Sequence, residues 1–217
     1  MLTKTEPVLK KKGPGTHNRL IARLADEDML VNLAGNYDYL SDGYYLSQDY
    51  EIDGYGVRPS CREMLDAYVP PLFLEKARLR GLPVPEYYIS NGYFEPPVIV
   101  DPINPFTLKG RVVLKAGRAK SIAKSLTRNF TYAICCQEIP QGGRVMYFRS
   151  VLGWALQPGF RELSRMVWEV FGIPLARVRV IHTANDRILL SDIAPLFMED
   201  LGERESRYLK EHLIWDN

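Results

Sequence analysis

The chain has 217 residues, one large domain at roughly 150 residues per domain, and its 46% hydrophobic and 25% charged residues can furnish a globular core. That composition excludes collagen-like, coiled-coil and disordered chains, and a net charge of +2 disfavours a protein that coats nucleic acid. There is no apolar run of 18 residues, so no membrane span is expected. The basic N-terminus carries no apolar signal core, and Cys61, Cys135 and Cys136 are too few for a disulfide framework, so the chain reads as cytoplasmic with reduced thiols.

Residues 1–18, with Lys4, Lys10, Lys11 and Lys12 around Gly13-Pro14-Gly15, read as a flexible basic tail. Residues 19–217 read as a single α/β domain. Met29–Leu33 is a short apolar strand, and Ser41-Asp42-Gly43 signals the start of a helix over Tyr44–Asp53, stopped by Gly54 and Gly56. Val57–Ser60 is the next strand. Arg62–Arg80 reads as a helix interrupted at Pro70-Pro71 and ended by Gly81. This alternation predicts a mixed, largely parallel sheet flanked by helices, a Rossmann-like three-layer arrangement.

Residues 82–108 are proline-rich and read as a connector or insertion within the domain, with Pro97–Val100 as an edge strand. A strand over Arg111–Lys115, a helix over Arg118–Thr127 and strands over Phe130–Glu138 and Arg144–Trp154 follow. Pro158 opens a helix to Phe171, capped by Gly172, with Leu163, Met166, Val167 and Val170 as its core stripe. Arg177–His182 and Arg187–Leu190 flank a hairpin turn at Asn185-Asp186, and Glu203–Ile214 is a terminal helix.

Six of the 13 tyrosines fall between Tyr37 and Tyr55. The loop that carries the first of them follows a strand and enters a helix start, where open α/β sheets bind ligands. Backbone N–H groups there favour an anion, and tyrosines offer hydroxyls and flat faces. The same residue types also suit a helix that packs on its sheet and bonds its own loops, and both readings stand. The ligand-binding candidates are Asn32, Tyr37, Tyr39, Ser41, Gly43, Tyr44, Tyr45, Ser47 and Ser60.

The string Asn32-Leu33, Tyr37, Tyr39-Leu40-Ser41, Gly43-Tyr44-Tyr45 and Ser47, followed by Gly54, Val57 and Pro59-Ser60, resembles the domain that precedes RimK-like ATP-grasp ligases (the RLAN family). Gly153, Pro158, Leu163, Phe171, Pro174-Leu175 and Arg177-Val178-Arg179 fit its second half, and Arg187–Leu190 with Asp192–Leu196 fit its closing segment. The resemblance implies a neighbour of a module that joins a carboxylate to an amine through an acyl phosphate. With 217 residues, that module is expected to lie outside this chain.

The second feature is a basic segment. Lys109, Arg111, Lys115, Arg118, Lys120, Lys124 and Arg128 are accompanied by no acid, so the remainder of the chain is net −5. Lys115, Arg118, Lys120 and Ser121 are the anion-binding candidates, at a helix start that lacks the spacing of a nucleotide loop. His17, His182 and His212 are scattered, no Cys/His spacing forms a metal site, and Ser47 and Ser60 show no His and Asp partners.

The expectation is an accessory, substrate- or partner-binding domain of a RimK-like peptide or amino-acid ligase system. It has no catalytic residues, cofactor or metal of its own. Its partners would be an ATP-grasp ligase subunit, a small anionic ligand and a second copy of the chain, with no membrane and nucleic acid disfavoured. The alternatives are a small-molecule enzyme at the Tyr37–Ser47 loop and an RNA-binding protein using Lys109–Arg128.

Overall fold

A computed structural model describes residues 20–27, 29–104 and 110–215. The expected basic tail, Lys109, Phe106 and His17 lie outside the described residues. A first small sheet holds β1 (Ile21–Leu24), β2 (Leu30–Asn32), β3 (Val57–Arg58) and β11 (Leu213–Ile214) in the order β11-β1-β2-β3. Between β2 and β3 runs α1 (Asp42–Ile52), capped by Ser41, whose hydroxyl accepts from the Tyr44 N–H.

Helix α2 (Cys61–Tyr68) opens on a capping box formed by Ser60 and Glu63. The pair Pro70-Pro71 starts α3 (Pro70–Leu79) rather than breaking a longer helix. A first-turn position needs no N–H partner, and Val69 before the proline is driven to extended geometry, which ends α2.

The second sheet has the order β4-β7-β5-β6, from β4 (Tyr87–Ser90), β5 (Val98–Pro102), β6 (Arg111–Val113) and β7 (Ile134–Glu138). The third is β8 (Arg144–Val151), β9 (Leu175–His182) and β10 (Ile188–Pro195), with β9 central. The remaining helices are α4 (Ala119–Leu126), α5 (Arg161–Phe171) and α6 (Glu203–His212).

The mixed α/β class stands, and the largely parallel, Rossmann-like sheet is corrected. Among the described residues β2 and β3 form the one parallel pair, and the second and third sheets are antiparallel throughout. The reason is the connections. Helix α1 joins β2 to β3 as the crossover that parallel neighbours require, whereas β9 and β10 are joined by a tight turn and the chain returns from β8 through α5 to pair antiparallel with β9. Two further expectations change. Strand β5 lies between β7 and β6, not at an edge, because Pro97 and Pro102 bracket it and leave the N–H groups between them to pair. Strand β7 begins at Ile134, since Arg128, Asn129 and Phe130 all have φ near +60° and turn the chain first.

Alternation along the strands builds the layers. Val98, Val100, Ile134 and Cys136 face Ala123 and Leu126 of α4. The opposite face of the second sheet meets the third through Ile99, Ile139, Ile181 and Leu189. Val178, Val180, Leu190 and Ile193 on the outer face of the third sheet pack with Met64 of α2, Phe73 and Leu74 of α3, and Val167 and Phe171 of α5. The order is α4, sheet, sheet, helices, with a cleft between the two sheets.

Candidate functional site

The cleft becomes polar where Ile99 and Ile181 give way to Asp101 and Arg179, two residues along the same faces. Asp101 of β5 and Arg179 of β9 are both buried there, at 3% and 5% exposure. Arg179 donates from Nη1 to Asp101 Oδ1 at 3.1 Å and from Nη2 to Oδ2 at 2.6 Å. Its Nε donates to Ser191 Oγ at 2.9 Å. Gln137 Nε2 donates to Asp101 Oδ2 at 2.7 Å and to the Ser191 carbonyl at 3.1 Å, and Ser191 Oγ donates back to Gln137 Oε1 at 2.8 Å. Burial of this ion pair is tolerable because its hydrogen-bonding groups find partners within the network.

A β-bulge sets up the next residue. Leu190 pairs with Val180 and Asp192 with Arg179, so Ser191 is the extra residue. Both Ser191 and Asp192 therefore oppose Arg179, and Asp192 Oδ2 sits 3.6 Å from Arg179 Nη1. One guanidinium thus serves two carboxylates.

Beside this network lies a pocket of about 590 Å³. Asp38 and Tyr39 from the loop before α1, Tyr68 from the end of α2, Asp101, Asp192 and Arg177 are among its lining. Arg177 stacks its guanidinium 4.9 Å from the Tyr147 ring centre. Burial pushes the Asp192 carboxyl up to about 7; Asp101 and Asp38 add to the rise, and Arg179 opposes it. Burial also raises Asp38. Among the described residues the buried Tyr68 hydroxyl has no hydrogen-bond partner. Its pKa is driven well above the ordinary phenol value by burial, then by Tyr37, Asp38 and Asp192.

Of the tyrosine-loop candidates, Tyr39 lines this pocket. The others knit the loop to itself. The Asn32 amide donates to the Gly43 carbonyl at 2.7 Å and to Ser47 Oγ at 2.9 Å, and Ser47 Oγ donates to the Pro59 carbonyl at 2.6 Å. The Tyr37 hydroxyl donates to the Asn32 carbonyl at 2.8 Å. Ser41 and Ser60 cap helices, and a Cβ on Gly43 would run into the Asn36 carbonyl oxygen. Tyr44 stands edge-on between Tyr39 and Tyr45, and the rings of Tyr39 and Tyr45 are exposed.

The basic candidates are elsewhere. Lys115, Arg118, Lys120 and Ser121 are exposed around the start of α4, on the side of the second sheet away from the cleft, and none lines the pocket. Burial pushes the Cys61 thiol up to about 11, so its place at the start of α2 does not produce a thiolate at neutral pH.

No protein-family model matches the chain, and no curated protein matches it. Solved structures do. The crystal structure of a RimK domain protein ATP-grasp from Sphaerobacter thermophilus DSM 20745 is 14% identical and covers 84% of this chain and 77% of its own, at a TM-score of 0.59. The D-alanine-D-alanine ligase from Helicobacter pylori is 16% identical and covers 79% of this chain and 67% of its own, at 0.53. The fold is ATP-grasp-like. The motif resemblance points to the domain that precedes such ligases, and the structural likeness, at the level of the fold, runs through most of the chain. The ATP-grasp-like fold also accounts for the antiparallel second and third sheets that replace the expected parallel one.

Asp38, Tyr68, Asp101, Gln137, Arg179, Ser191 and Asp192 are not among the sequence candidates. Their signal is charge inside apolar strands. Val98-Ile-Val-Asp-Pro102 holds one acid, and Leu175-Ala-Arg-Val-Arg-Val180 holds two arginines on one face. A charge in such a strand requires a buried counter-charge on another strand.

Proposed function

We propose that this chain is a ligand-binding accessory protein of a RimK-like, ATP-grasp ligase system and does not itself consume ATP. The observation that carries this reading is the engagement of Arg179. A nucleotide polyphosphate needs cationic donors in front of it. Here the buried guanidinium is bonded to Asp101 and lies close to Asp192. Three carboxylates line the adjoining pocket, and Arg177 is the single basic residue lining it among the described residues. Among those residues no three His, Cys, Asp or Glu side chains are grouped to hold a metal ion that could bridge carboxylate and phosphate. A polyphosphate does not fit this donor set, and the joining chemistry falls to a separate ATP-grasp subunit.

The test is direct. Purified chain is incubated with ATP and magnesium, alone and with mixed carboxylic acids and amines, and ADP and phosphate are measured. The expected result is no release above buffer. Turnover that disappears in Asp192→Asn would overturn the reading.

A second reading, RNA or anion binding by the basic segment, is favoured by one observation. Lys115, Arg118 and Lys120 are exposed, and Phe130 and Tyr132 after α4 keep 42% and 38% of their surface open for stacking.

A further inference from the structure

The pocket between the loop before α1, the end of α2 and the bulged strand β10 has three properties that together select a ligand. Its acidic groups outnumber its bases: Asp38, Asp101 and Asp192 line it with Arg177, which stacks on Tyr147, and Arg179, the cation behind them, is shared by Asp101 and Asp192. It also contains an unused hydrogen-bonding group, the buried Tyr68 hydroxyl, whose titratable neighbours are Asp38, Asp192 and Tyr37. An unsatisfied buried hydroxyl is costly, so a ligand that partners it gains affinity. One wall is apolar, with Met64, Leu65, Val69 and Ile193. At about 590 Å³ the pocket lies within the roughly 300–1,000 Å³ of small-molecule sites.

We propose that this pocket binds a small organic cation, a protonated primary amine or guanidine on an apolar body, with its charged head between Asp38 and Asp192 and an N–H donated to the Tyr68 hydroxyl. The inference rests on the functional reading above only in taking the cleft as free of nucleotide. An anion is opposed by the carboxylates. A bare metal ion is opposed by the absence of a three-ligand group among the described residues. A neutral apolar ligand would leave the Tyr68 hydroxyl unpaired and bring no donor to Asp38 or Asp192. An organic cation satisfies the acids, the hydroxyl and the apolar wall at once.

The experiment titrates the full chain by calorimetry with three probes that share one apolar body: phenethylamine, 2-phenylethanol and 3-phenylpropionate. The amine is expected to bind at least about tenfold more tightly than the alcohol, and the carboxylate not measurably. Asp38→Asn and Asp192→Asn should each remove at least about tenfold of the amine affinity and leave the alcohol unchanged; Tyr68→Phe should remove several-fold. Equal binding of amine and alcohol, preference for the carboxylate, or no binding of any probe overturns the inference. So does amine selectivity that survives the Asp38→Asn, Asp192→Asn double variant. If either variant fails to fold, the wild-type ratio of amine to alcohol affinity still decides. ATP turnover with amine selectivity intact would overturn the accessory reading alone, and loss of selectivity without turnover would overturn this inference alone.

Discussion

Arg179 Nη2 lies 2.6 Å from Asp101 Oδ2, and the two residues stand on different sheets. Each side chain is almost fully buried, so removing one strands the other's charge in the cleft. Arg179→Met is predicted to lower stability by about 3–5 kcal/mol. Adding Asp101→Asn should recover a large part of that loss, because the stranded charge is then gone. Urea unfolding of both variants checks this. A single substitution costing under about 1 kcal/mol would show that the sheets are held mainly by their apolar contacts.

The Asp192 carboxyl is raised from 3.8 to about 7, first by burial, and it faces Arg179, Asp101, Asp38, Tyr68 and Arg177 across the pocket. A raised acid holds its proton in the folded chain at pH values where the unfolded chain has released it. Its contribution to stability is full below the unfolded pKa and declines as pH rises from about 4 to about 7, then levels off. Asp38 is shifted in the same direction by burial. Asp192→Asn should therefore gain stability relative to wild type as pH rises through this window. Urea midpoints at about pH 5 and about pH 8 would show the difference widening; parallel curves would place Asp192 in ordinary solvent.

Ser47 Oγ joins the Asn32 amide to the Pro59 carbonyl. Ser47→Ala leaves a buried acceptor and a buried donor without this bridge and should cost about 1–3 kcal/mol. Binding at the pocket should be unchanged, because Ser47 does not line it. Thermal melts and a probe titration separate the two outcomes. Loss of binding at unchanged stability would make Ser47 a ligand contact after all.

Replacing Lys115, Arg118 and Lys120 with glutamine should change stability by no more than about 0.5 kcal/mol, since all three side chains are exposed. The same variant decides the second functional reading. RNA affinity that falls steeply with salt and disappears in the variant would support it. No binding by the wild-type chain at low salt would remove it.

The helices were legible because their start and stop signals are local. Ser41 caps α1, Ser60 and Glu63 box the start of α2, and Gly172 ends α5 with φ at +65°. Strand partners were not, because pairing is decided by distant segments. The alternation over residues 30–58 does contain a parallel pair, but the later strands are antiparallel. The candidate site follows the same division. The tyrosine loop stood out by composition, yet most of its polar groups are consumed within the loop and its helix. The carboxylates at the pocket come from three separate segments, and no spacing in the sequence links Asp38, Asp101 and Asp192.

Ser191 is the extra residue of the bulge, and the pairing on either side of it keeps inward and outward faces in step. An in-frame loss of that one codon would leave Leu189 and Asp192 facing the cleft and Leu190 and Ile193 facing the helices. It would delete the hydroxyl that Arg179 and Gln137 share, and with it the carbonyl that accepts from Gln137 Nε2. One reinforcing member of the network between the sheets is therefore a unit that heredity can add or remove in one step, while the Arg179–Asp101 pair that joins them is kept.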